Sequence, residues 1–119
     1  MKLLKSNPQI ANNEIEGINL ISNSLLSIFI YNEGGTVNIN AKIRNIYNNE
    51  ILIMKFMKVL EYNFYYNNKY LFYNIETYKV LKDCNNNYYL SFDPDESVDN
   101  ISTNDQDFIL AGELVIFIE

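Results

Sequence analysis

The stretch TVNINAKIRNI, Thr36 to Ile46, decides the fold class. Val37, Ile39, Ala41 and Ile43 alternate with Asn38, Asn40, Lys42 and Arg44. A period of two belongs to a strand with one face buried and one face wet. Upstream, SLLSIFIYN runs into Glu33-Gly34-Gly35, and paired glycines supply the positive φ values of a tight hairpin turn. Strands over 24–32 and 36–46 are therefore expected to form a hairpin.

Outward from that hairpin the same grammar repeats. EILIMKFMKVLEYNFYY, residues 50–66, places Ile53, Phe56, Met57, Leu60 and Phe64 on a possible helical stripe. Its many β-branched and aromatic residues, and its unbroken run into Asn63-Phe64-Tyr65-Tyr66, favour a strand. Asn67-Asn68 and the Asn85–Asn87 triplet read as hairpin turns, because asparagine tolerates the left-handed region. They separate KYLFYNIETYKVLKD and YYLSFD as further strands. FILAGELVIFIE closes the chain as a central strand with a bulge at Gly112, and EIEGINLIS reads as a short early strand in which Gly17 marks a bulge or a point of close backbone approach. The expected fold is all-β: an antiparallel sandwich or small barrel of about seven to eight strands, with one short helical turn at most. The frequent, dispersed asparagines read as turn chemistry rather than as a low-complexity tract.

A chain of 119 residues with 48 % hydrophobic content fits one domain spanning 1–119. Met1–Asn13 lacks the apolar run of a secretory signal, and segments such as ILIM and LVIFI are too short to span a bilayer. Cys84 is the only cysteine, so no intramolecular disulfide or CxxC motif exists, which suits a reducing cytoplasm. There is no histidine, which removes Ser-His-Asp and Cys-His nucleophiles and HExxH zinc chemistry. Gly17, Gly34, Gly35 and Gly112 assemble neither GxGxxG nor a P-loop. The chain is expected to be non-catalytic, without a cofactor.

Charge is divided unevenly. Residues 1–82 carry all nine basic residues and six acidic ones, while 83–119 carry nine acidic residues and no basic one. The acidity peaks in SFDPDESVDNISTNDQDF, Ser91–Phe108. An EF-hand begun at Asp93 or Asp95 lacks both the glycine of the sharp turn and the glutamate at position twelve. Pro94 marks the end of a strand, and Thr103-x-x-Gln106 fits a capping box that would start a short helical turn. A second constellation is aromatic, from Tyr62 to Phe92, and includes the adjacent pairs Tyr65-Tyr66 and Tyr88-Tyr89. Neighbouring residues of a strand face opposite ways, so one Tyr of each pair is expected to be exposed.

The leading functional expectation is a small acidic cytoplasmic protein-binding module, of the inhibitor or immunity type, that neutralises a basic partner such as a toxin, nuclease or nucleic-acid-handling complex. Its candidate contact residues are Asp93, Asp95, Glu96, Asp99, Asp105, Asp107, Tyr65, Tyr66, Tyr88 and Tyr89. The alternative is an aromatic-rich β-sandwich binding a carbohydrate or other small ligand, with or without calcium. Nucleic acid is not an expected partner, because a chain of net charge −6 repels phosphate, and neither is a membrane.

Overall fold

A computed structural model describes residues 1–69 and 73–119. The chain is all-β, with no helix among the described residues and two antiparallel sheets, of seven and two strands. In chain order the strands are β1 (Lys2–Ser6), β2 (Ile10–Ala11), β3 (Glu14–Ile15), β4 (Ser24–Glu33), β5 (Thr36–Arg44), β6 (Ile51–Asn63), β7 (Lys79–Lys82), β8 (Tyr88–Asp93) and β9 (Gln106–Ile118). The large sheet runs β4-β5-β6-β9-β8-β7. One side of β9 pairs with β6, while β8 takes Gln106–Ala111 and β1 takes Val115–Ile118 on the other. Beyond β4, Tyr73–Ile75 bonds the start of that strand through Leu25 N–H to Tyr73 O (2.7 Å) and Ser22 N–H to Ile75 O (2.7 Å). The antiparallel, all-β architecture fits the expected sandwich or small barrel.

The alternation in Thr36–Arg44 reads directly onto the core, since Ile39, Ala41 and Ile43 are fully buried while Lys42 and Arg44 reach solvent. Residues 51–63 form a strand in which Leu52, Met54 and Phe56 enter the same core. Lys58 and Gly112 then face one another, and the alternation slips by one residue in both strands there: Phe56 is followed by Val59, and Leu114 is preceded by Ala111, as core residues. Lys58 takes φ +56°, and a Cβ on Gly112 would meet the Lys58 Cβ at 3.4 Å. The buried Asn38 carboxamide accepts the Lys58 N–H at 3.4 Å, which explains a polar side chain inside the outer face of β5. The bulge expected at Gly112 is not in β9: the register runs unbroken from Glu113 to Ala111, and the irregularity falls instead in β6, between Val59 and Glu61.

Three expectations need correction. The strand expected over 14–22 is reduced to Glu14–Ile15, and Gly17, at φ +74°, sits in a tight turn closed by Ile18 N–H to Ile15 O (2.8 Å), neither in a bulge nor at a close approach, since no described residue beyond its chain neighbours lies within 4 Å of where its Cβ would be. The strand expected over 69–83 is reduced to Lys79–Lys82 among the described residues, and its Tyr70, Leu71 and Phe72 lie outside them. The helical turn at Thr103 does not form, because Ser102 rather than Thr103 begins the turn. Ser102 Oγ accepts Asn104 N–H at 3.1 Å, Asp105 Oδ2 accepts Ser102 N–H at 3.0 Å, and β9 starts at the next residue. The reciprocal logic of a capping box is kept, one residue earlier, without a helix. Asparagine does serve as turn residue: Asn7, Asn12, Asn13, Asn49 and Asn86 are five of the eight described non-glycine residues with positive φ.

Candidate functional site

The acidic segment is a tethered loop, and Asp105 is its tether. This carboxylate is buried, and its Oδ1 accepts from Lys79 Nζ (2.9 Å) and Asp95 N–H (2.8 Å). Oδ2 accepts from Tyr89 OH (2.7 Å) and Ser102 N–H (3.0 Å). Lys79 Nζ also donates to Asn100 O at 2.9 Å. The loop is therefore gripped at Asp95, Asn100 and Ser102 by one buried ion pair. Burial pushes the Asp105 carboxyl up, but the hydrogen bonds from Ser102, Lys79, Asp95 and Tyr89 outweigh it and hold the group below its ordinary value. Tyr89 is driven well above the ordinary phenol range, first by burial and then by its hydrogen bond to Asp105 and the charge there.

This cover explains why Tyr89 is buried as well as Tyr88, against the expectation that one would be exposed. Tyr88 points into the core and donates to Pro8 O at 2.7 Å. Tyr89, on the other face of β8, lies under the loop and stacks on Phe108 with 5.5 Å between ring centroids. Neither offers a side chain to a partner. The same holds for Asp105 and for Asp107, which is buried at φ +50° and accepts Tyr65 N–H at 2.7 Å. These four residues leave the contact surface because each is part of the packing that supports it.

Tyr65 and Tyr66 remain outside, 51 % and 70 % exposed, just after β6 and beside the exit of the loop into β9. Asp93 ends β8 and is half-buried. Asp95 staples the loop from within: Oδ1 accepts Ser97 N–H (3.0 Å) and Ser97 Oγ–H (2.6 Å), and Oδ2 accepts Ser102 Oγ–H (3.3 Å). The Ser97 hydroxyl and amide hold its carboxyl below the ordinary value. Glu96 and Asp99 are exposed, and Glu96 accepts Thr77 Oγ–H at 3.1 Å. Both line a cleft of about 530 Å³ between the loop, β7 and the β2–β3 turn, with Asn12, Asn13, Thr77 and Val98 among its other walls. The described residues contain no cluster of three or more His, Cys, Asp or Glu side chains suited to a metal ion.

The residue that sequence reasoning missed is Lys79. Together with Lys58–Glu113 (3.5 Å) and Lys42–Glu119 (3.2 Å), its pair with Asp105 shows where countercharge for the last third of the chain comes from. Each pair joins a lysine of the first 82 residues to a carboxylate of the last 37 across strands. A weak signal existed in Lys79 itself, a cation alternating with Tyr78 and Val80 in an apolar run. No family model, curated protein or solved structure matches this chain. No helix among the described residues is long and apolar enough to cross a membrane.

Proposed function

We propose that the protein is a non-catalytic binding module of the inhibitor or immunity type, acting in the cytoplasm, whose loop over 94–104 docks on the basic surface of a protein partner. The observation that carries this reading is the contrast within the loop. Asp105 is fully neutralised beneath it by Lys79, while Glu96 and Asp99 point outward with no cation paired to them among the described residues. A loop held from below loses little conformational entropy on binding, so its charges act on a partner at low ordering cost. The cleft beside Glu96 and Asp99 is wide enough for an arginine or lysine side chain of that partner. Tyr65 and Tyr66 supply exposed aromatic surface near the loop, and tyrosine is enriched in protein interfaces.

The same exposed tyrosines are what favours the second reading, a carbohydrate or other small-ligand binder. The two readings separate on one preparation of captured partner or ligand. Binding by the loop weakens steeply with salt and with Glu96→Gln/Asp99→Asn, whereas binding by stacking survives both and fails in Tyr65→Ala/Tyr66→Ala.

A further inference from the structure

The two ends of the β4-β5-β6-β9-β8-β7 path are treated in opposite ways. At one edge β7 is four residues long, begins and ends with lysine, and is covered by the β2–β3 turn. There Asn13 Oδ1 accepts Val80 N–H at 2.6 Å and Asn13 Nδ2 donates to Tyr78 O at 3.1 Å. At the other edge β4 is ten residues long and has no charge or proline before Glu33. Among the described residues outside the sheet, Tyr73–Ile75 bond only the start of this strand. Past that cover, Phe29 and Ile30 are 60 % and 40 % exposed, and Phe29 stacks on Tyr31 at 5.2 Å. A long, uncharged, apolar edge is the surface that proteins normally blunt, because its free backbone groups pair with any compatible strand.

We propose that this edge pairs with β4 of a second copy of the chain, antiparallel across a two-fold axis, to make a homodimer. The strand is complementary to itself. With Ile30 opposite Ile30, Phe29 of each copy faces Tyr31 of the other, so two stacked pairs merge on one face. In the same register Glu33 falls opposite Ser27, whose neighbour on β5 is Lys42. The only charge on the strand therefore falls opposite a serine, two strand spacings or about 10 Å from the Lys42–Glu119 ion pair, and not opposite its own copy. The edge also belongs to the part of the chain that carries all nine basic residues, so the net charge of −6 does not oppose the contact locally. β4 lies at the opposite end of the strand order from β7, against which the acidic loop packs.

Sedimentation equilibrium of the full chain from micromolar to submillimolar concentration tests this. The expected result is a concentration-dependent mass that rises to twice the 14.0 kDa of one chain. Phe29→Lys/Tyr31→Lys, which places like charges opposite one another, is expected to hold the mass at one chain with an unchanged far-ultraviolet circular dichroism spectrum. A wild-type mass of one chain throughout the range overturns the proposal. So does a dimer that the double substitution leaves intact, because the contact then lies elsewhere.

Discussion

At Asp105 a carboxylate that reads as one of six surface acids is the buried centre of the loop. Its four donors come from positions 79, 89, 95 and 102. Breaking a buried pair by removing one partner leaves the other charge uncompensated, so Asp105→Ala is expected to lower stability by about 3–5 kcal/mol in urea unfolding. Lys79→Met combined with Asp105→Leu is expected to recover part of that, the remainder being the Asp95 and Ser102 amides and the Tyr89 hydroxyl left without their acceptor. The pH dependence follows from the same contacts. Asp105 is depressed on folding, so its contribution is complete above its unfolded value of roughly 4 and is lost as pH falls through the folded one. Tyr89 is raised on folding, so its contribution is present below roughly pH 10 and is lost as pH rises through the folded value. The unfolding free energy is therefore expected to form a plateau across neutral pH, with an acid arm that Asp105→Asn flattens and an alkaline arm that Tyr89→Phe flattens. Beyond the weak signal of a cation between Tyr78 and Val80, the pairing was not legible: Lys79 lies 26 residues from Asp105, and no short-range pattern marks two side chains that meet only when β7 pairs with β8.

Among the elements, those with strong alternation or dense apolar runs were legible: β4 and β5 around Gly34-Gly35, the strand over 51–63, β8, and the buried terminal strand β9. Of the short strands, β3 and β7 were read as parts of longer ones, over 14–22 and 69–83, and β1 and β2 were not read at all. Lys2–Ser6 has two leucines and no period, and becomes a strand because β9 leaves an edge free beyond β8 for it to fill. Likewise Ile10–Ala11 and Glu14–Ile15 are a two-stranded ribbon whose role is to cover β7. The exposure of paired tyrosines was misread on β8 because the period of two predicts faces, not what later folds over them. Asn13 in that ribbon occupies the outer edge of β7, so Asn13→Ala leaves Val80 N–H and Tyr78 O without it. The expected cost is about 1–3 kcal/mol, together with faster amide exchange at Val80 than at Leu90, which lies inside the sheet.

Over the whole molecule, the charge asymmetry of the chain is partly an artefact of reading it linearly. Three lysines from the first 82 residues cross the sheet to Asp105, Glu113 and Glu119, so three of the nine acids in the last third are matched. Two of these pairs are exposed and contribute little, about 0–1 kcal/mol each. What persists after folding is a loop anchored from beneath with Glu96 and Asp99 turned to solvent beside a cleft. Such a surface speeds encounter with a basic partner and makes the affinity depend on salt. The most direct measurement is the dissociation constant of the partner captured from the native host, taken across a salt series for the wild type and for Glu96→Gln/Asp99→Asn. The wild-type affinity is expected to fall steeply with salt, and the neutralised loop to bind at least tenfold more weakly at low salt, about 1.4 kcal/mol, with a flatter salt dependence and unchanged thermal unfolding. Equal affinity and equal salt dependence for the two proteins, both folded, would contradict the account.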